Sequence, residues 1–291
     1  MSTPTHPSYR WSGEDLDLDA YLARIGFEGD RAPTVATLRR LVYLHTTTIP
    51  FENLEIVLGR PVLLDVKSMQ DKMVRQRRGG YCYENNALFA AVLERLGFGV
   101  IGLGGRIFIG PDNGLLPATH AVLRVATAED DRAWLCDVGF GSGPMEPIEL
   151  TPSDGELTIG GWRFRLELGA DELGAQVGAL HHFSRNGWLN RRTFTMTPQY
   201  RIDYEVGSHY VSTSSHSPFT TRPIAQKFHP EVHHLLDGVT LNTQYPDGTG
   251  ETRDVDRADL PEILSETFDI DLDDADATQL VEQPWPADQR P

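Results

Sequence analysis

Arg78-Gly79-Gly80-Tyr81-Cys82-Tyr83-Glu84-Asn85-Asn86 is the stretch on which the reading of this chain turns. Two glycines break the chain just before Cys82, and a helix-compatible apolar run from Ala87 through Leu96 follows. That order predicts a thiol in the first turn of a helix. Backbone N–H groups lack helical partners there, and the positive end of the helix dipole favours thiolate over thiol. A structural cysteine gains nothing from such a position, because a small buried hydrophobe packs in the middle of an element. Cys136, in Trp134-Leu135-Cys136-Asp137, has no glycine break beside it and reads as core filler.

Working outward, His120 follows in Pro117-Ala118-Thr119-His120-Ala121-Val122-Leu123-Arg124-Val125, and Asp137 in Cys136-Asp137-Val138-Gly139-Phe140-Gly141. Cysteine, histidine and aspartate in this order, each beside a strand or helix start, match a nucleophilic triad. The imidazole takes the thiol proton, and the carboxylate holds one tautomer and stabilises the imidazolium. The bland alternatives are a satisfied strand histidine and an aspartate capping the turn before Gly139. Position between nucleophile and acid selects His120 from the ten histidines; the pairs His181-His182 and His233-His234 receive no role. Cys82, His120, Cys136 and Asp137 are all metal-ligand types, but the short Cys-x-x-Cys or His-x-x-x-His spacing of a zinc site is missing, so no metal is expected. Gly97-Phe98-Gly99-Val100-Ile101-Gly102 has dinucleotide-loop spacing, yet a helix precedes it and a strand follows, which reverses the required order.

At 291 residues, of which 40% are hydrophobic, the chain exceeds one ordinary core and predicts two or three packed subdomains. A formal net charge of -16 argues against nucleic-acid partners, which need a basic face. No apolar run approaches the roughly 20 residues of a membrane span, and Met1–Pro7 lacks signal-peptide character. A cytoplasmic protein with neither membrane nor nucleic acid as partner is expected, its two cysteines unpaired. Nothing in the sequence fixes an oligomeric state.

The chain reads as three regions. Residues 1–97 are helical and carry the nucleophile. Leu16, Leu18, Tyr21, Leu22 and Ile25, then Val35, Leu38, Leu41, Val42 and Leu44, recur at helical spacing. Ser68 is expected to cap a helix through Arg75. Residues 98–202, carrying His120 and Asp137, show short β-prone runs: Val100–Ile109, His120–Ala126, Ala133–Val138, Gly161–Leu168 and Phe194–Met196. With no long helical pattern between them, they suggest a barrel rather than βαβ units. Residues 203–291 read as mixed: a Ser/Thr-rich loop over Ser212–Ser217, strands near Val239–Thr243 and Glu251–Val255, a helix from about Leu260 to Phe268, and an acidic tail from Asp271 whose end is expected to be loosely held.

The motifs together resemble the arylamine N-acetyltransferases, cysteine enzymes that use acetyl-CoA. Asp17-Leu18-Asp19-Ala20-Tyr21-Leu22-Ala23-Arg24-Ile25-Gly26 resembles that family's opening helix. Ile49-Pro50-Phe51-Glu52-Asn53-Leu54-Glu55 matches its Pro-Phe-Glu-Asn-Leu motif, Arg78–Cys82 the nucleophile motif, and Asp137–Gly141 the acid motif. Ser212–Phe219 is similar to its loop ending in Ser-Pro-Phe, and Leu260–Leu272 to its late helix. The likeness spans about Asp15 to Leu272. It implies an α+β fold: an N-terminal helical bundle, a central β-barrel and a C-terminal α/β lid, with a papain-like placement of the triad.

The resemblance also implies activity and ligands. The expected reaction is acetyl transfer from acetyl-CoA to the nitrogen of aryl amines or aryl hydrazines and hydrazides, through an acetyl-cysteine on Cys82. Phe51, Phe140 and Phe219 are the implied acceptor contacts; ordinary core phenylalanine is the alternative. Coenzyme A is expected to meet Thr119 before His120, Gly141 in the turn after Phe140, and Tyr210 at the start of a loop reaching His216. One departure stands in that loop, where the family commonly has proline after Thr-Ser and this chain has Ser215 followed by His216. Glu52 and Arg78 both fall beside the nucleophile turn and are expected to pair in support of it. Two other reaction classes fit the triad: an amide synthase closing a macrolactam from a carrier-bound thioester, and a papain-like amidase.

Overall fold

In the computed structural model, which describes residues 9–108, 116–152, 155–184, 187–282 and 284–285, the first region is helical. α1 (Leu18–Arg24) starts at Asp17, whose carboxylate accepts from the Ala20 N–H. α2 (Val35–Thr48) starts at Thr34, whose hydroxyl accepts from the Thr37 N–H. β1 (Phe51–Glu52), α3 (Leu54–Val57) and α4 (Val66–Gln70) follow, and α4 runs on into a wider helical turn over Asp71–Arg75. Ser68 is not the cap. The Asp65 carboxylate accepts from the Ser68 N–H, so the helix opens earlier than expected. α5 (Cys82–Arg95) is the central element, with Ala87 through Leu93 each at most 2% exposed. Each Leu or Phe buried there contributes about 1.5–3 kcal/mol against staying in water.

The middle of the chain forms antiparallel strands: β2 (Gly99–Ile107), β3 (His120–Ala126), β4 (Ala133–Cys136), β5 (Ile148–Glu149), β6 (Leu157–Ile159), β7 (Trp162–Ala170), β8 (Gln176–Ser184) and β9 (Gly187–Gln199). Their order is β5-β4-β3-β2-β9-β8-β7-β6, so the ends do not meet and the sheet is a half-barrel. Trp162, Phe164 and Leu166 alternate inward along β7 into a core separate from that of the helices, as period-2 patterning requires. Ile109, expected at the end of the first strand, and Met1–Pro7 lie outside the described residues.

The last region contains α6 (Arg201–Thr213), β10 (Ile224–Phe228), β11 (His233–Asp237), β12 (Thr240–Gln244), β13 (Gly250–Asp254), α7 (Leu260–Phe268) and α8 (Asp274–Glu282). Its five-stranded sheet runs β1-β10-β11-β12-β13, so its edge strand comes from the first region. Phe51 pairs with Gln226 and Glu52 with Ala225. One expectation is corrected. Ser212 and Thr213 belong to α6 rather than a loop, because the Asp203 carboxylate accepts the Tyr200 N–H and opens a helix that runs through them. The acidic segment from Asp271 packs as far as Trp285, with Leu280 and Trp285 buried against Leu260, Leu264 and Phe268, and the end of the tail lies outside the described residues. The whole is an α+β fold with the three expected kinds of layer.

Candidate active site

Sterics explain the glycines before Cys82. A Cβ on Gly79 would lie 2.2 Å from the Pro50 carbonyl oxygen, so only glycine lets this turn close on β1. Glu84 then accepts from the Tyr81 N–H, and Asn85 donates to the Gly80 carbonyl, which fixes the entry into α5. Cys82 is the first residue of that helix and is buried. Its sulfur lies 3.9 Å from the Thr119 carbonyl oxygen and faces the backbone N–H groups of Ala121, Tyr83 and Cys82. The contacts from Thr119 and Ala121 bracket His120. For the thiol taken alone, the expectation of a lowered pKa is reversed: burial pushes it up to about 12, against the pull of those N–H groups. The helix start does not make a thiolate by itself, because little water reaches the sulfur.

His120 opens β3 opposite Gly105 of β2, and Asp137 follows directly on β4. His120 Nε2 and Asp137 Oδ2 are 2.7 Å apart, both side chains buried. Burial alone would raise the carboxyl pKa, but the charges of His120 and Arg192 outweigh it and hold Asp137 at about 2. An ionised carboxylate only accepts, so Nε2 carries the hydrogen and Nδ1 is the ring nitrogen left to take a proton. Asp137 Oδ1 accepts from Asn86 Nδ2 at 3.1 Å and the Gly139 N–H at 3.2 Å, and Arg192 Nε lies 3.0 Å from Oδ2.

Glu52 and Arg78 pair at 3.0 Å, both buried, as expected. The pair belongs to a larger array. Lys72 lies 3.5 Å from Glu52 and 2.8 Å from Glu84 on α5, and Arg78 also reaches Glu55 at 3.4 Å. Arg60 bridges Glu55 and Asp276 of α8, each at 2.8 Å. Burial disfavours the Glu52 carboxylate, yet Lys72 and Arg78 hold its pKa down at about 2.

The three phenylalanines divide into two places. Phe51 and Phe219 rings are 5.8 Å apart, and Phe219 meets Tyr81 edge-on at 6.1 Å. Phe140 meets the His120 imidazole edge-on at 5.5 Å. Thr119 is placed against the nucleophile through its carbonyl. Gly141, at φ 86°, lies against the Gln226 side chain, and a Cβ there would come within 2.6 Å of it. Tyr210 stands on α6 with its ring exposed, two residues past Ser208, whose hydroxyl bonds Tyr81. Among the described residues, no group of three or more His, Cys, Asp or Glu side chains is placed to hold a metal ion, and no helix is long and apolar enough to cross a membrane.

Sequence reasoning missed Arg192, Asn86 and Lys72. Asn86 had a signal: it stands one helical turn after Cys82, on the face that meets the acid. Lys72 and Arg192 had none, since each reaches the site from an element whose placement only the tertiary fold decides.

A family profile described as N-acetyltransferase matches residues 34–277. The arylamine N-acetyltransferase of Mycolicibacterium smegmatis is 40% identical over 265 residues, which is 89% of this chain and 94% of that protein. The crystal structure of the Nocardia farcinica arylamine N-acetyltransferase superposes with a TM-score of 0.94 at 61% identity, covering 97% of this chain and 99% of that one. The Mycobacterium marinum arylamine N-acetyltransferase, solved in complex with CoA, superposes with a TM-score of 0.83 at 32% identity, covering 91% and 98%. With sequence, fold and the arrangement around Cys82 in accord, the chain belongs to the arylamine N-acetyltransferase family of acyltransferases.

Proposed function

We propose that the protein transfers an acetyl group from acetyl-CoA to the nitrogen of an aryl amine or aryl hydrazine in two half-reactions on Cys82. The observation that carries this reading is the placement of Cys82 Sγ between the Thr119 carbonyl and the Ala121 N–H, with His120 between them and bound to Asp137. The thiol proton passes to His120 Nδ1 as the sulfur attacks the acetyl carbonyl, so thiolate and imidazolium form together. Backbone N–H groups at the start of α5 face the oxyanion. The C–S bond to CoA breaks, and the CoA sulfur leaves with the imidazolium proton. The acceptor nitrogen then attacks the acetyl-cysteine and gives its proton to His120, which returns it to Cys82.

Thr119, Gly141 and Tyr210 are the proposed coenzyme contacts. Phe51, Phe219 and Phe140 are the proposed walls for the ring, and Glu52 with Arg78 supports the nucleophile turn. Ring stacking contributes about 0.5–1.5 kcal/mol beyond burial. An aryl amine is mostly unprotonated at neutral pH, whereas an alkyl ammonium loses hydration on burial. The deciding experiment is intact-protein mass spectrometry after exposure to acetyl-CoA, then to an aryl hydrazide. One added acetyl on Cys82, removed by the hydrazide with formation of its amide, is the expected result. No acetyl on Cys82, or its loss to water at the same rate without acceptor, would overturn the reading.

A further inference from the structure

Arg192 is 1% exposed on β9, a strand that holds no member of the triad. Its Nε lies 3.0 Å from Asp137 Oδ2, the same oxygen that His120 Nε2 approaches at 2.7 Å. Its Nη2 donates to the Gly143 carbonyl at 3.2 Å, and its guanidinium lies 4.1 Å from the centre of the Phe140 ring. The same ring meets the His120 imidazole. One side chain thus touches the acid, the turn after it and the ring against the base. A buried guanidinium costs a great deal of hydration, and a neutral amide would hold a carboxylate at less cost. The full positive charge is what needs a reason.

We propose that Arg192 is a positioning residue that sets the pH range in which Cys82 and His120 work together, by sharing the Asp137 carboxylate with the imidazole. This rests on the triad reading given under Proposed function. With Arg192 in place, the array of Cys82, His120, Asp137 and Arg192 is formally neutral whether the proton is on sulfur or on the imidazole. Without it, both forms bury a net negative charge. The guanidinium also takes up part of the carboxylate's field at Oδ2 and adds a favourable field at the sulfur. Its removal therefore makes every neighbouring group hold its proton to higher pH. Among the described residues, the titratable groups facing the array are Tyr81 at the entry to α5, Cys82 and Tyr83 from α5, His120 from β3, Cys136 and Asp137 from β4 and its end, and Tyr204 from α6. Arg192 adds a charge that stays fixed across the working range.

The test is the pH dependence of Cys82 alkylation by iodoacetamide, followed by intact mass in the full-length protein. Arg192→Gln is expected to move both limbs of the profile up by about one unit, with the maximal rate reduced. Arg192→Lys is expected to return the limbs to their wild-type positions. Wild-type limbs in Arg192→Gln, with only a lower rate or melting temperature, would mean a structural prop and overturn the proposal. If Arg192→Gln fails to fold because it strands Asp137, Asp137→Asn and the double variant Asp137→Asn/Arg192→Gln carry the comparison. A separation of about one unit between their limbs supports the proposal, and coincident limbs overturn it. His120→Ala tests the underlying triad separately: an unchanged alkylation profile in that variant would remove the triad reading itself.

Discussion

At the scale of single residues, the chemistry depends on side chains that have no substitute nearby. Cys82→Ser is expected to abolish both the acetyl-enzyme and amine acetylation, while Cys136→Ser, buried on β4, spares both; intact mass and acceptor assays check this. Arg78→Gln leaves Glu52 with Lys72 and the Leu54 N–H inside the protein. Breaking such a pair costs about 3–5 kcal/mol, so the urea midpoint is expected to fall further than the activity per folded molecule. Acid acts on the same groups. Glu52 and Asp137 are held at about 2 when folded, below the ~4 of the unfolded chain. Their contribution is complete above about pH 5 and is lost as pH falls toward 2. The placement of Cys82 at a helix start and of Glu52 beside Arg78 was legible in the sequence because glycine punctuation and local motifs mark them. Arg192 was not, because no glycine, turn or motif beside it marks it as reaching the acid.

At the scale of elements, the site is a seam between α5 and the half-barrel. Gly139 marks the closest approach: a Cβ there would lie 2.7 Å from the Cys82 carbonyl oxygen and 2.8 Å from its Cα. Gly139→Ala is expected to push the acid turn off α5 and slow acetylation of Cys82 by more than tenfold, of the order expected when reacting groups move by about 1 Å. Rapid quench of the first half-reaction measures it. Behind the seam, the Tyr21 hydroxyl donates to His45 Nδ1, His45 Nε2 donates to the Asn85 oxygen, and Asn85 donates to the Gly80 carbonyl. This chain ties α1, α2 and α5 to the nucleophile turn. Burial lowers the His45 pKa to about 4, so neutral His45 contributes stability that is complete above its unfolded value of ~6.5. That contribution is lost as pH falls from there toward 4. His45→Gln is expected to flatten the urea midpoint across that interval. The helices α1, α2, α5 and α7 and the strands β2, β3, β4 and β7 were legible from local pattern, but β8, β10, β11, most of β9 and α6 were not. In α6, buried Tyr204, Ser208 and Val211 alternate with exposed Ile202, Val206 and Tyr210, which blurs the apolar stripe.

At the scale of the whole molecule, the first and last regions are joined through β1 with β10 and through Arg60 with Asp276. The bundle, strand-rich centre and mixed last region were visible in composition and turn spacing. The pairing of β1 with β10 was not, because a two-residue strand has no period to read. The packing of α8 was hidden by its acidic surface, although Leu280 and Trp285 are buried and Asp276 reaches Arg60. Ending the chain after Leu272 is expected to cost about 3–6 kcal/mol from those two side chains, read as a lower thermal midpoint with slower Cys82 alkylation. The β1–β10 seam also gives the site a timetable. Phe51 leaves the ribosome long before Gln226, and at ~5–20 residues per second the wait is roughly 10–35 s. Through that interval β1 and the nucleophile turn beside it lack their partner strand β10, and the apolar sides of α5 await the half-barrel until β9 is complete at Gln199. The enzyme is therefore expected to acquire reactive Cys82 late and in one step, so that stalled nascent chains ending before Ile224 stay unlabelled by acetyl-CoA while released full-length chains take up the acetyl group.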